Sequence, residues 1–468
     1  MPANSWPENN SYNELDEIGS LLSELPQTFD EEAQPPYPGY EGRRRKAAVL
    51  LTIVWSGTIA LHLFSWGTWL VVGLTTLMGI HAVRVLRSRP PGVAVPLSEE
   101  TQDSWPFVSL LVAAKNEEAV ISKLVKNICN LDYPVDLYEL WVIDDHSTDQ
   151  TPILLKQLAQ QYEQLKIFRR PAGASGGKSG ALNQVLPLTR GQIIAVFDAD
   201  AQVHSDMLRR VLPVFEQEQV GAVQVRKAIA NANVNFWTRG QAAEMALDSF
   251  FQQHRIAIGG IGELRGNGQF IRRSALERCG GFNEETITDD LDLTIRLHLD
   301  RWDIDFLIEP AVEEEGVTTA IALWHQRNRW AEGGYQRYLD YWRPILRNRM
   351  GTRKTWDMFM FWITQYFLPT AALPDFLMSF VRNSLPVFSP ITGLMLAMSL
   401  VGMFRGLRHI HKEEKLTFST MFFTLIQTLR GTLYMLHWVA IMASATARMS
   451  VRPKRLKWVK TVHKGNGE

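Results

Sequence analysis

Two carboxylates one residue apart, Asp198 and Asp200, close the apolar run QIIAVFDADAQ at residues 192–202. Hard oxygen donors so spaced suit a divalent ion of the Mg2+ type, which bridges phosphates and keeps some of its waters. A strand running into an Asp-rich turn would look the same, so the pair gains weight only from its company. KNEE at residues 115–118 and DDHSTD at 144–149 are two more polar clusters, each directly behind an apolar run. Between these and Asp198 lies GASGGKSG at residues 173–180. Its glycines let backbone N–H groups approach a phosphate, and Lys178 can neutralise the phosphate charge. The P-loop spacing is nearly met from Ala172 to Ser179 but begins on alanine. That keeps the phosphate reading and removes the nucleotide-hydrolase one. The histidines, His146 and His204 among them, form no pair at metal-ligand spacing.

The elements that must position these clusters are legible from periodicity. Residues 107–114, 139–143, 193–197 and 220–225 read as strands, and segments near 118–129, 151–163 and 205–217 have helical spacing. Such alternation predicts an α/β domain with a mostly parallel sheet. In open sheets of this kind ligands bind beyond the carboxyl ends of the strands. All three clusters fall there, which turns alone do not explain.

The chain has 468 residues, with Lys+Arg and Asp+Glu both 49, so nothing points to a nucleic-acid partner. Residues 1–42 hold acidic groups but no Lys or Arg and read as a disordered tail, not a secretory signal. Cys129 and Cys279 have no paired or metal-ligand spacing and fit buried small residues. From Ala47 to Val83 no charged residue occurs, enough for two membrane spans turning near Ser65–Gly67. Basic residues flank both ends (Arg43 to Lys46; Arg84, Arg87, Arg89), which predicts a hairpin over 43–89 with both ends in the cytoplasm. The domain from 90 to 350 would then be cytosolic, in a multi-pass membrane protein. A second hairpin is expected from Met358 to Val381, carrying only Asp375, and from Asn383 to Phe404. The last apolar stretch, 416–447, is interrupted at Arg430-Gly431. It either bends into two short spans or lies half in the interface. An even number of crossings in 351–447 would leave the basic tail, 448–468, in the cytosol.

In this order and spacing, AKNEE, VIDDHSTD, GGKSGALN, VFDADA, TDDLDL and the stretch Gln326 to Trp330 resemble the membrane-bound family 2 glycosyltransferases, over residues 107–331. The resemblance implies a GT-A fold, a Rossmann-like nucleotide-sugar domain held between membrane hairpins. It implies that Asp145 holds the uracil or ribose of a UDP-sugar, with Ala114 and Glu117 in the same pocket. Asp198 and Asp200 would place Mg2+, with Mn2+ as the alternative, on the diphosphate, near Lys178. Asp290 would be the general base, Arg329 a diphosphate contact, and Trp330 the aromatic floor of the acceptor site. Size, acidic tail and helix layout are most similar to members that glucosylate a membrane lipid. That implies glucose transfer from UDP-glucose to diacylglycerol, among membrane lipids and with no obligate protein partner.

Simpler readings stand beside several of these roles. Asp289, Asp290 and Asp292 would also suit the first turn of any helix. Trp330 could anchor at the membrane interface, and Arg327 and Arg329 could touch lipid headgroups. Gly266, Asn267 and Gly268 form either an acceptor loop or a plain turn. His146 and Asp289 depart from the commoner family residues. A processive polysaccharide synthase shares the Gln326-to-Trp330 motif, and a nucleotide-sugar-binding protein with a dead site is a third reading. The last is disfavoured because metal, phosphate and base positions are all filled.

Overall fold

The computed structural model describes residues 42–451 except 91, 93, 412–414 and 416. The acidic tail up to residue 41 and the basic tail from residue 452 lie outside the described residues. Helices α1 (Arg43–Leu63) and α2 (Gly67–Arg87) come first. The central domain follows with β1 (Val108–Ala114), α3 (Ile121–Cys129), β2 (Tyr138–Asp144), α4 (Thr151–Ala159) and β3 (Leu165–Arg169). It continues with α5 (Gly177–Val185), β4 (Ile193–Phe197), β5 (Gln202–Val203), α6 (Met207–Val211), β6 (Val220–Ile229) and α7 (Phe236–Ala257). It ends with β7 (Gln269–Arg272), α8 (Arg273–Arg278), α9 (Asp289–Leu299), β8 (Asp303–Glu314) and α10 (Ala320–Leu346).

Among the described residues the strands form one sheet in the order β3-β2-β1-β4-β7-β6-β8-β5. The first four are mutually parallel. β7 then runs antiparallel between β4 and β6, and β8 returns parallel to β6. The sheet is therefore parallel from β3 to β4 and mixed beyond. All seven residues of β1 are buried because both faces of the sheet are covered. Leu110 and Val112 pack with Leu124 and Ile128 of α3, while Leu111 meets Leu182 and Val185 of α5. Burial on both faces produces continuous apolar strands in place of alternation.

The remaining helices are α11 (Thr352–Trp362), α12 (Leu368–Arg382), α13 (Ser389–Ile410), α14 (Phe418–Met435) and α15 (His437–Val451). Three of the described helices, α1, α2 and α13, are long and apolar enough to cross a membrane. The run expected from Met358 to Val381 is instead divided by a π-helical turn at Ile363–Phe367. The last stretch breaks at Leu436, between α14 and α15, and not at Arg430-Gly431. Gly431 lies within α14, where it lets Met403 and Ala243 come close.

Both ends of the α1–α2 pair meet the central domain. Arg43 donates to Asp340 Oδ1 at 2.7 Å and to the Glu285 carbonyl at 2.9 Å, and Ser88 donates to the His254 carbonyl at 3.1 Å. Near the end of α1, His62 Nε2 lies 2.7 Å from Asp375 Oδ1. Asp375 also accepts from the Val387 and Phe388 N–H groups ahead of α13, at 2.7 and 3.1 Å. A carboxylate in an apolar segment persists only with such partners.

Helix α7 joins the central domain to α13 and α14 at very close range. A Cβ on Gly406 would collide with the Ala246 carbonyl, and one on Gly240 with the Tyr434 ring. Backbone cannot yield as a flexible side chain does. Gly406→Leu should therefore destabilise the protein by about 1–3 kcal/mol, the usual range for overpacking. A lower thermal midpoint of the detergent-solubilised variant would show this, and an unchanged one would contradict the close docking.

Candidate active site

At one end of the site, β1 and β2 present their carboxyl ends side by side. The Asp145 N–H donates to the Ala114 carbonyl at 2.8 Å, which holds these two predicted residues together. The Asp145 carboxylate takes Arg170 Nη1 at 2.7 Å and Lys115 Nζ at 3.0 Å. Arg170 was not singled out by sequence, although Arg169-Arg170 stands just before the glycine-rich stretch. Its buried guanidinium also donates to the Ser175 and Gly177 carbonyls at 2.5 and 3.2 Å. It thereby ties Asp145 to the glycine-rich loop. The KNEE and DDHSTD turns clasp each other: Asn116 N donates to Ser147 Oγ and Glu117 N to Thr151 Oγ1, both at 2.8 Å. Asn116 and His146 each turn through a left-handed conformation at φ 55°, so His146 contributes to the shape of this turn.

The other end is built by the start of α5 and the turn after β4. Gly176 and Gly177 adopt φ of 81° and 54°, which brings the loop over to the helix. Lys178 Nζ lies 2.5 Å from Asp198 Oδ1. Burial works against the Lys178 charge, but Asp198, Asp289 and Asp290 outweigh it and hold the ammonium above its usual range. Asp200 Oδ2 accepts from the Glu315 N–H at 2.9 Å. Asn267 is fully buried: its Oδ1 accepts from the Asp198 N–H at 3.2 Å, and its Nδ2 reaches Glu314 at 3.3 Å. It therefore braces the carboxylate turn from beneath, whereas Gly266 faces the cavity next to Asp290.

Whether the site fits a metal turns on its donor set. Among the described residues no group of three or more His, Cys, Asp or Glu side chains converges as a closed metal cage. Asp198 and Asp200 supply two hard carboxylates on one braced turn, and a cation, the Lys178 ammonium, already sits against Asp198. Two carboxylates suit a divalent ion that takes its other ligands from phosphate and water. The residues fit.

Asp290 lies in the first turn of α9 and accepts its neighbour Leu291 N–H at 2.9 Å. Burial first, and the Asp289 charge second, push its carboxyl up to about 6. Arg329, on α10, is near enough to Asp198 and Asp290 for both to support its charge. Two cations lie over the Trp330 ring, with the Arg327 guanidinium 3.9 Å and the Lys227 ammonium 5.2 Å from its centre. Arg327 itself is buried in an ion pair with Glu244 and does not reach lipid headgroups.

Glu117, Lys178, Asp198, Asp200, Gly266, Asp290, Arg329 and Trp330 open onto one cavity of about 1030 Å³, whereas Ala114, Asp145, Asn267 and Arg327 stand behind its wall. Its polar end carries Lys178, Asp198, Asp200, Asp290 and Arg329. Its other end is walled by apolar residues of α2, α11 and α13, such as Met78, Val85, Phe361, Met395 and Leu396.

The description "Glycosyltransferase like family 2" matches residues 106–333. Relatives extend the match to the whole chain. A beta-monoglucosyldiacylglycerol synthase of Trichormus variabilis is 67% identical over 100% of both chains. One of Synechocystis is 55% identical over 99% of this chain and 97% of its own. The chain belongs to the family 2 glycosyltransferases. Its fold is shared with a mannosyltransferase from Pyrobaculum calidifontis, solved with GDP-Man and Mn2+. The TM-score is 0.52 at 21% identity, over 84% of this chain and 99% of that one. The fold is thus GT-A, as the motif order implied, and the chain is a hexosyltransferase of a family that generally uses a divalent metal.

The elevated Asp290 carboxyl sets a pH dependence. Below about 6 it holds its own proton and cannot accept another. kcat/KM should fall about tenfold per pH unit below that point and level off towards neutrality. Asp290→Asn should remove this limb and lower kcat by roughly 10²–10⁴-fold while UDP still binds. Turnover near the wild-type rate would return Asp290 to a helix-turn role.

Proposed function

We propose that the protein transfers glucose from UDP-glucose to the free hydroxyl of 1,2-diacylglycerol, giving β-monoglucosyldiacylglycerol. The observation that carries this is the single cavity running from the Asp290 carboxylate to an apolar wall of membrane helices. A lipid hydroxyl can reach Asp290 there while its chains stay out of water. The names of its full-length relatives support the same reading.

Asp145, steadied by Arg170 and Lys115, binds the nucleoside, with Glu117 on the cavity side. Lys178 and Arg329 meet the diphosphate charge, which grows as UDP leaves. Asp198 and Asp200 would hold the divalent ion, Mg2+ or Mn2+, whose role when bound is to neutralise the leaving diphosphate. Asp290 takes the acceptor proton as the new C–O bond forms and the bond to UDP breaks. One base opposite the leaving group gives a single displacement and inverts the anomeric carbon. Trp330 floors the acceptor side.

Incubation with UDP-glucose, diacylglycerol and Mg2+ should yield a monoglucosyl lipid of β configuration from an α-linked donor. Excess EDTA should abolish its formation until Mg2+ is restored. Long glucan chains in place of the lipid would support a processive synthase, and full activity in EDTA would remove the metal.

The cytoplasmic placement of the domain rests on the basic flanks of α1 and α2 and on the contact of both helix ends with the domain. Single cysteines introduced near Gly67 or Asn383 should react with an impermeant reagent from outside intact cells, and one near Lys178 should not. Reaction near Lys178 would reverse the orientation.

A further inference from the structure

The apolar part of the cavity contains a belt of buried charge that the chemistry above leaves unused. Arg255, Arg265, Arg337, Asp357 and His81 all line it. The belt starts beside the catalytic base, because Arg265 immediately precedes Gly266, where a Cβ would stand 3.3 Å from Asp290 Oδ2. Arg265 Nη2 binds Glu263 at 2.9 Å and Asp248 at 2.6 Å. Arg337 Nη1 binds the other Glu263 oxygen at 2.6 Å. Arg255 reaches Glu263 at 3.6 Å and Asp357 at 3.0 Å, and His81 Nε2 lies 3.3 Å from Asp357 Oδ1.

Two features give this belt a ligand. Arg337 is only 3% exposed, yet its Nε has no hydrogen-bond partner. A buried donor left unpaired is costly, and a bound acceptor would relieve that cost. The belt is also neutral in sum, since Arg255, Arg265 and Arg337 stand against Asp248, Glu263 and Asp357. A neutral set of directed N–H donors does not select a phosphate, whose charge would need an excess of cations. It suits an uncharged acceptor such as a carbonyl oxygen.

We infer that this belt, with Arg337 as its donor, is a subsite for the ester carbonyls of the lipid acceptor. The inference rests on the proposed diacylglycerol reading. In that molecule the ester-bearing carbons follow directly on the carbon whose hydroxyl reacts at Asp290. With the hydroxyl at the base, the esters lie alongside the belt and the chains run on among Met78, Met395 and Leu396. The belt thus fixes which end of a lipid enters the site.

The test compares a diacylglycerol with the matching 1,2-di-O-alkylglycerol, which keeps the hydroxyl and the chains but lacks the carbonyls. Wild-type enzyme should show a KM for the ether about tenfold above that for the ester, as expected for one lost hydrogen bond to a buried charged donor. Arg337→Lys keeps a cation beside Glu263 and loses the Nε donor. It should bring the two acceptors towards equal KM, with the KM for UDP-glucose unchanged. Equal use of ester and ether by the wild type would overturn the subsite and leave transfer to diacylglycerol standing. Unchanged discrimination in Arg337→Lys would also overturn it. Glucosylation of neither lipid would remove both the subsite and the function on which it rests.

Discussion

Glu263 is completely buried, and three arginines converge on it. Burial alone would drive its carboxyl up, but Arg337, Arg265 and Arg255 reverse this and hold it well below the usual range. Each partner comes from a different part of the fold: Arg265 from the loop before β7, Arg255 from α7, and Arg337 from α10. Asp357 on α11 then takes Arg255, and His81 on α2 approaches Asp357. The joint between the sugar-transfer domain and helices α2 and α11 is therefore ionic at its centre. Removing one partner of such a set leaves an uncompensated buried charge, a penalty of about 3–5 kcal/mol. That cost fixes the geometry more firmly than apolar contact, which tolerates sliding.

A second buried pair does similar work beneath Trp330, the proposed floor of the acceptor side. Glu244 on α7 receives Arg327, and it also accepts from Tyr434 Oη at 3.1 Å and Trp438 Nε1 at 2.8 Å. The Arg327 guanidinium lies over the Trp330 ring, 3.9 Å from its centre. The floor is thereby braced by α7, α14 and α15 together, so the C-terminal helices help shape the site although they carry none of the predicted site residues. The glycines on α13 and α14 serve the same end by letting those helices lie against α7.

What could be read from sequence divides along physical lines. β1, β2 and β4 were legible because burial on both faces writes a continuous apolar run. The polar clusters behind them could then be assigned to one edge of the sheet. β7 was not legible, since its four residues give too short a pattern and antiparallel insertion leaves no local mark. Asn267 could not be told from an acceptor-loop residue, because what decides its place is a hydrogen bond to a strand end 69 positions away. Arg327 and Arg329 show how little a motif alone settles. They stand two positions apart on α10, which puts them on opposed faces of a helix. One faces a buried glutamate and the other the cavity. Arg170 and Glu263 were missed for a related reason: each matters through partners that only the fold assembles.

Charge balance also explains why the donor end is built as it is. Asp198, Asp200, Asp289 and Asp290 stand against Lys178 and Arg329, an excess of negative charge in a partly buried cleft. Asp289 adds to it with a buried Oδ2 that has no hydrogen-bond partner. A diphosphate entering alone would meet net repulsion, so the proposed donor needs a divalent cation with it. Burial first, and the neighbouring Asp289 charge second, raise Asp290 towards neutrality, where a carboxylate accepts a proton more readily than at its ordinary value. The need for a cation and the raised Asp290 carboxyl thus share one contributor, the Asp289 carboxylate. A substitution that lowered the negative charge around Asp290 would weaken both together.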